Sequence, residues 1–519
     1  MKVYYQLSAR KRIELEDHDI HTLLFLNEQG MVSQPQLFQF FILLKDMQEA
    51  AFRRKMNRWD DANIIQKQKY RIQNGHEIAL ISLTNQGQTI LKKLGFIPEK
   101  DVLKYKPKSN IDHTLAIKQT VIEMLKIASQ HTDFYFAEGG KYLIALNPNG
   151  IRFNVNKPIW IYKRQNTGTD IIPEFHPFGD YNNDKILNIF KEKGGVFTSY
   201  VPKMFEETTN LIPDWVFQVK DHYFYIEVDT GTEKVKSPRD QSNYLIDKFD
   251  TSSIEGKLYR YDDMVKKQKE QAKEEGKVYN KSHHVIFALL DDSRAVITTQ
   301  IQSKKDTRIA NLKHEISFMD HFSEWNIEVS VVGLKRFSAL MKKLHQQTVE
   351  QSKKNGKNYY EILEMMCSEG IAPEGWMTNF ITPDKFSKVQ LPTHYSIEGM
   401  YIFLKKANRL DQYMIPVFVR EGNVEDMEKI DYLTIPVEQG KFKTDAKILA
   451  IYETKEELEN DILRKTQNIY THKFTGEQVD NNGMKTDNLL FIALDELKAG
   501  ELSIYTADKK AINPYQLFL

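Results

Sequence analysis

Two short stretches near the middle of the 519-residue chain carry acidic side chains at a spacing suited to binding a divalent metal ion. The stretches Pro213–Val219 and Tyr223–Asp229 are rich in aromatic and β-branched residues and are separated by a polar turn, which predicts a β-hairpin. Strand side chains alternate between faces, so Glu227 and Asp229 point the same way, and the hairpin brings Asp214 to the same end of the sheet. Three converging carboxylates repel one another unless a hard cation such as Mg²⁺ or Mn²⁺ lies between them.

The same residues carry a resemblance to a nuclease signature and to a wider protein family. Asp214, after Pro213, and Glu227, thirteen positions later, resemble the first two members of the PD-(D/E)xK signature, whose lysine would stand at position 229, where this chain has Asp229. As a set, four segments resemble the replication-relaxation family of plasmid and mobile-element proteins, over about the first two-thirds of the chain. These segments are His113-Thr-Leu-Ala-Ile, Pro213-Asp214, Glu227-Val-Asp-Thr-Gly-Thr-Glu233 and Lys257-Leu-Tyr-Arg-Tyr261.

In that family a winged helix precedes a PD-(D/E)xK-like domain, so the resemblance implies a metal-dependent DNA-nicking site. Asp214 and Glu227 would hold the metal ion, and Asp229 would be a further ligand. A lysine normally stabilises the negative charge that develops on the phosphate. Lys257 is our candidate for that lysine, with Lys234 and Lys236 as alternatives. The opposing interpretation is a retained fold without catalysis.

A tyrosine-nucleophile mechanism of the rolling-circle type is the other chemistry to weigh. It needs two histidines that share a metal, but His283 and His284 are adjacent, so a strand would direct them to opposite faces. The tyrosine pairs Tyr4-Tyr5 and Tyr359-Tyr360 are weak signals in a chain with 25 tyrosines. The required ligand geometry is therefore missing from the sequence pattern. No Gly-rich phosphate loop indicates a nucleotide cofactor.

The elements that must position the acidic residues form a mixed sheet between helices, predicted for residues 113–345 with an insertion at about 141–200. Helices are predicted over His113–Ile127 and Gly256–Gln271 from their apolar periodicity. His284–Leu290 is nearly all apolar, which is typical of a central buried strand. Ile327–Val332 is predicted as a further strand. This element order is the one that a PD-(D/E)xK-like fold requires.

Residues 1–97 have the element order of a winged helix-turn-helix. A helix within residues 14–28 precedes a second one that begins at Ser33 as N-cap, and a third helix covers about Gln48–Ala62. Two strands joined through Asn74-Gly75 then form a hairpin, the wing. A last helix is capped by Thr84.

Basic residues on the third helix and on the hairpin predict contact with double-stranded DNA. In this motif the third helix enters the major groove and the wing approaches phosphates. The candidate residues are Arg53, Arg54, Lys55, Arg58, Lys67, Lys69 and Arg71. The alternatives are a solvated basic face and a protein-binding winged helix.

The remaining segments are assigned by composition and pattern alone. Residues 98–112 are a basic linker, residues 346–358 are a polar linker, and residues 359–519 are a C-terminal α/β domain. The last domain has short apolar strands around a helix that begins after Thr454, but no motif shows its role. It is a candidate for homo-oligomer contacts or for binding plasmid-transfer proteins.

Composition limits the class of protein. A 41% hydrophobic and 28% charged chain can bury ordinary cores, and its net charge of +1 requires any nucleic-acid binding to come from local patches. One cysteine, Cys367, excludes disulfide stapling and cysteine metal clusters. No apolar run approaches the ~18 residues of a membrane span, so we expect a cytoplasmic protein without membrane contact.

These patterns predict a plasmid or mobile-element DNA-binding protein that acts in replication or conjugative mobilisation. The enzyme hypothesis is a Mg²⁺-dependent, relaxase-like nickase. The alternatives are a catalytically inert initiator or accessory factor and a transcriptional regulator, each with a nuclease-like fold.

Overall fold

A computed structural model of the full chain describes most of its regular elements. The described residues are 2–8, 11–71, 77–93, 111–129, 134–136, 143–145, 160–161, 175–176, 196–199, 213–231, 233–235, 253–290, 308–309, 312–313, 315–317, 319, 325–349, 376–381, 400–405, 412–438, 446–463, 488–499, 503–506 and 509–512. The chain divides into two compact units that alternate along the sequence. Unit 1 comprises Met1–Thr232, Asp263–Gln302 and Gly333–Ser352, and unit 2 comprises Glu233–Asp262, Ser303–Val332 and Lys353–Leu519.

The amino-terminal part of unit 1 contains the predicted helices and hairpin strands in the predicted order. Its elements are β1 (Lys2–Ser8), β2 (Lys11–Glu16), α1 (Asp17–Gln29), β3 (Met31–Ser33), α2 (Gln34–Leu44), α3 (Glu49–Asp61), β4 (Ile65–Arg71), β5 (Glu77–Leu83) and α4 (Asn85–Lys93). β3, β5 and β4 form a three-stranded antiparallel sheet. The β1–β2 hairpin and the short β3 were not predicted, and the Asn74-Gly75 turn lies outside the described residues.

Local hydrogen bonds explain where these helices begin. The Ser33 hydroxyl accepts the amide of Gln36, and the Gln36 side chain accepts the amide of Ser33, which forms the capping box expected at a helix start. Thr84 caps α4, since its hydroxyl accepts the Gly87 amide at 3.1 Å. Position 87 must be glycine, because a Cβ there would lie 2.3 Å from the Ile64 carbonyl oxygen.

The second part of unit 1 is organised around the predicted acidic hairpin. β10 (Val196–Ser199), β11 (Trp215–Val219), β12 (His222–Asp229) and β13 (Ser282–Leu289) lie side by side in that order. β11 is antiparallel to both of its neighbours, β10 and β12, and β12 pairs with β13 in parallel. In sequence, the elements between the amino-terminal part and β10 are α5 (Ile111–Ser129), β6 (Phe134–Phe136), β7 (Leu143–Ala145), β8 (Trp160–Ile161) and β9 (Phe175–His176). The rest of the predicted insertion lies outside the described residues.

Two further long helices belong to this region of the sequence. α6 (Ile254–Glu274) contains residues of both units, and α7 (Leu334–Val349) belongs to unit 1 and contacts α5. β12 and β13 are buried along almost their whole length, as their apolar character predicted.

Unit 2 contains a seven-stranded sheet whose centre is parallel. After β14 (Glu328–Gly333) come β15 (Trp376–Ile381), β16 (Met400–Lys405), β17 (Gln412–Phe418), α8 (Val424–Glu438), β18 (Ala446–Tyr452), α9 (Lys455–Leu458), β19 (Leu489–Ala493), α10 (Leu494–Ala499), β20 (Ile504–Thr506) and β21 (Ala511–Ile512). β15 to β21 are ordered by sequence, with β17, β18 and β19 parallel. α9 begins at Thr454, as predicted, and continues as a π-helical turn over Glu459–Leu463. The chain is thus a mixed α/β protein.

A buried polar group joins the elements of unit 2. Asp461 pairs with the Lys313 ammonium and accepts the Tyr452 hydroxyl at 2.9 Å and the Gly422 amide at 3.3 Å. Lys313 has 0% exposure. Gly422 has φ +75°, and a Cβ there would lie 2.6 Å from the Val331 carbonyl oxygen, so glycine is required at the centre of this group.

Candidate functional site

The strands of the acidic hairpin pair as the sequence predicted, but Asp214, Glu227 and Asp229 do not form a group of three metal ligands. β11 and β12 pair with Trp215 opposite Ile226, and continuing that register by one residue places Asp214 opposite Glu227. Directly opposed residues project from the same face of an antiparallel pair, and Asp229 shares that face with Glu227 by alternation. Glu227 and Asp229 are only 2% and 1% exposed. The register therefore places Asp214 and Glu227 at the same end of the hairpin, where β11 begins.

Asp214 is held by two groups from separate parts of unit 1. Its Oδ2 accepts the Val228 amide at 2.8 Å and lies 3.1 Å from His113 Nε2. The side chains of Asp214 and His113 remain partly exposed. Their contact joins two of the segments that suggested the family resemblance, although they are 101 residues apart in sequence.

His113 lies within one of the family-like segments but was not predicted as a site residue. Its membership in that motif was the signal available, since periodicity on a helix gives no distance to a residue on a later strand. A second residue of α5 was missed in the same way. The buried Lys118 has its ammonium 5.2 Å from the centre of the Trp215 ring, next to Asp214 in the chain.

Asp229 has a local partner that fixes its direction. Its Oδ1 accepts the Gly231 amide at 2.7 Å, and Gly231 has φ +84°, a conformation that favours glycine. This short turn ends β12 and keeps the Asp229 carboxylate close to its own backbone.

The candidate lysine Lys257 is engaged with a carboxylate of its own unit. Its ammonium lies 3.0 Å from both oxygens of Glu233, and the Arg308 guanidinium donates to the Glu233 carbonyl oxygen at 2.8 Å. Lys234 is exposed, and Lys236 lies outside the described residues. The structure thus pairs the last residue of one family-like segment with the first residue of the next.

The described carboxylates meet the needs of a hard cation only in part. Among the residues that the structure describes, no group of three or more His, Cys, Asp or Glu side chains is arranged to hold a metal ion. Mg²⁺, however, usually keeps several waters and binds one or two carboxylates. Asp214 and Glu227 are two carboxylates at one end of the hairpin, so their chemistry suits this cation, and the metal site stays a prediction.

The adjacent histidines behave as strand alternation predicts. His283 Nδ1 lies 3.0 Å from the Tyr225 hydroxyl and its Nε2 contacts the Tyr279 hydroxyl, whereas His284 Nε2 lies 3.1 Å from His222 Nδ1. The two imidazoles thus contact different neighbours. Burial, with smaller contributions from nearby positive groups, lowers the pKa of His283 to about 3. Of the tyrosine pairs, Tyr4-Tyr5 lies in β1, and Tyr359-Tyr360 lies outside the described residues.

The basic residues predicted on α3 separate into two groups. Phe52, Met56 and Trp59 form its buried face. Arg53 pairs with Glu49 one turn away at 2.6 Å, and Lys55 turns inward to pair with Asp19. Arg54 and Arg58 are exposed, and within the described part of the chain no side-chain partner contacts either of them.

The basic residues predicted on the hairpin also differ in their contacts. The Lys67 ammonium donates to the Asn57 side chain of α3, and the Lys67 amide donates to Asp60 at 3.2 Å. The Lys69 side chain is 82% exposed and pairs with Glu77 at 2.9 Å. Arg71 ends β4, and its side chain lies outside the described residues.

Helix composition and comparison with known proteins add two findings. Among the described helices, none has the length and apolar content needed to cross a bilayer. Residues 23–279 match the family model described as Replication-relaxation. No curated protein and no solved structure matches the chain.

Proposed function

Since residues 23–279 belong to the replication-relaxation family, we propose that this chain is a DNA-binding protein that acts in the replication or mobilisation of a plasmid or mobile element. Its first 97 residues are a winged helix-turn-helix that grips double-stranded DNA. Its middle part is a PD-(D/E)xK-like domain, and we place the protein in the cytoplasm. We assign the C-terminal part to contacts with a second copy of the chain or with plasmid-transfer proteins.

The observation that carries this proposal is the surface of α3. The helix follows α2 closely and precedes the β4–β5 hairpin, and its apolar side is buried while Arg54 and Arg58 face outward. A helix with one buried stripe and exposed arginines fits the major groove, and a hairpin beside it can reach phosphates.

The test is a titration of labelled duplex DNA by fluorescence anisotropy at several salt concentrations. We expect binding that weakens as salt rises, because protein cations displace the counterions of DNA. Arg54→Ala with Arg58→Ala should weaken binding about tenfold or more, which corresponds to one or two charged contacts. Lys55→Ala is a poor probe because Lys55 supports the fold through Asp19. Salt-independent or absent binding of the wild type would refute the proposal.

A second candidate function, Mg²⁺-dependent DNA nicking, is favoured by the position of Asp214 and Glu227 at one end of the hairpin. A bound Mg²⁺ would polarise the phosphate and lower the pKa of the attacking water. His113 keeps the Asp214 carboxylate in place, and Asp229 borders the same face of β12. We assign the positive charge that the lysine of the signature would supply to Lys118 of α5, which lies in the same unit as the hairpin.

Nicking of supercoiled plasmid in Mg²⁺ or Mn²⁺ tests this second function. Asp214→Asn and Glu227→Gln should each abolish nicking while duplex binding through α3 persists. Wild-type protein that binds duplex but never nicks would leave the inert DNA-binding interpretation, as initiator, accessory factor or transcriptional regulator.

A further inference from the structure

We propose that α3 reads base sequence through Arg54, Asn57 and Arg58, and that the hairpin, not α3, supplies the phosphate contacts. This inference rests on the proposed binding of duplex DNA. It commits to a target that presents guanine and adenine edges in the major groove, because arginine pairs with guanine and asparagine with adenine through two hydrogen bonds each.

The three side chains lie on one face of the helix. Residues three or four positions apart are neighbours on one side of a helix, so Arg54 adjoins both Asn57 and Arg58. All three are exposed, opposite the stripe formed by Phe52, Met56 and Trp59. Asn57 was not among the residues predicted from the sequence.

The charge of α3 argues against a role as a general phosphate clamp. The helix carries four basic and three acidic residues, so its formal net charge is only +1. Two of its four cations are already paired, Arg53 with Glu49 and Lys55 with Asp19. Asp60 and Asp61 at its end would repel a phosphate backbone. A surface with so little free charge gains little affinity from counterion release, so its affinity must come from specific contacts.

A contact with the hairpin also fixes the orientation of the Asn57 side chain. The Lys67 ammonium donates to Asn57 Oδ1, which fixes the amide while leaving its second lone pair and both N–H donors for a base. A pre-positioned amide loses less rotamer freedom on binding. Lys69 of the hairpin has a largely exposed side chain, and its surface pair with Glu77 contributes little, so a phosphate can replace Glu77 as its partner.

The experiment begins by selecting preferred sites from a random duplex library with the full chain. Binding to a selected and to a scrambled duplex is then measured across salt concentrations. Arg58→Lys and Arg54→Lys keep the charge but lose the planar fork, so each should reduce the preference for the selected duplex about tenfold and leave scrambled binding unchanged. Asn57→Ala should relax the preference for adenine at one position. Lys69→Ala should weaken both duplexes equally and lower the salt slope by about one.

Arg53→Lys is the matched control, since Arg53 lies on the same helix but pairs with Glu49. It should leave the preference unchanged. Unaltered preference in both Arg54→Lys and Arg58→Lys would overturn the inference, as would wild-type binding without any preferred site. In the second case the proposed DNA binding itself would stand. Failure of the wild type to bind any duplex would reject both, which makes the outcomes distinguishable.

Discussion

Asp214 in unit 1 and Asp461 in unit 2 are two aspartates that differ in their burial and in their partners. Asp461 is almost fully buried and has the Lys313 ammonium, a tyrosine hydroxyl and a backbone amide as partners. Asp214 is partly exposed and is held by the Val228 amide and the His113 ring. The carboxylate of Asp461 is neutralised within the fold, whereas Asp214 lies at the same end of its hairpin as a second acid, Glu227.

This difference separates a structural acid from a functional one. A buried carboxylate with a matched ammonium has no capacity left for a ligand, and removing either partner leaves an uncompensated charge. A partly exposed carboxylate that accepts a backbone amide can still bind a cation. We therefore expect substitution in the Asp461 group to cost mainly stability, and substitution at Asp214 to cost mainly function.

The largest expected effect is the loss of the ion pair in unit 2. Lys313→Met should destabilise unit 2 by about 3–5 kcal/mol, because Asp461 would be left charged in a buried site. Hydrogen exchange of β17, β18 and β19 measures this locally. Lys455→Met is the control, since Lys455 pairs with Glu496 at a partly exposed site and should cost less than about 1 kcal/mol. An equally small loss at position 313 would show that Tyr452 and Gly422 satisfy Asp461 by themselves.

The next effect contrasts the charged pair of unit 2 with a buried neutral group in unit 1. Burial lowers the pKa of His283 to about 3. Its imidazole therefore stays neutral in the folded state at pH values where the unfolded chain, with a histidine pKa near 6.5, binds a proton. Stability is therefore lost as pH falls from about 6.5 toward 3, by about 2 kcal/mol at pH 5 for this residue.

His21 should contribute a similar loss, because burial also lowers its pKa to about 3. His283→Gln can keep a hydrogen bond to a tyrosine but does not titrate, so it should remove about half of the acid-induced loss due to these two histidines. Urea unfolding at pH 7 and pH 5 measures the change. An identical loss in the variant and the wild type would place the proton uptake elsewhere.

The smallest effect on stability is expected at Asp214. Asp214→Asn keeps an oxygen to accept the Val228 amide, so stability should change by less than about 1 kcal/mol. Affinity for Mn²⁺, measured by calorimetry, should nevertheless fall by about tenfold or more. Loss of stability with unchanged Mn²⁺ binding would make Asp214 a structural residue like Asp461.

The sequence allowed prediction of features that depend on neighbouring residues. The hairpin of β11 and β12 follows from alternation and a polar turn, and the caps at Ser33 and Thr84 follow from local hydrogen bonds. Contacts between distant elements could not be predicted in this way. His113 with Asp214, Lys257 with Glu233 and Lys55 with Asp19 each depend on how elements pack, which no local pattern encodes. Lys55 shows this most clearly, since its position among basic residues suggested an outward direction.

The pairing of Lys313 with Asp461 also has a consequence for synthesis of the protein. The two residues are 148 positions apart, so Lys313 leaves the ribosome well before its partner exists. At ordinary translation speeds that interval is about 7–30 seconds, far longer than a small domain needs to collapse. During this time the Lys313 ammonium must stay hydrated. Unit 2 therefore cannot close around Lys313 until the C-terminal strands have been synthesised.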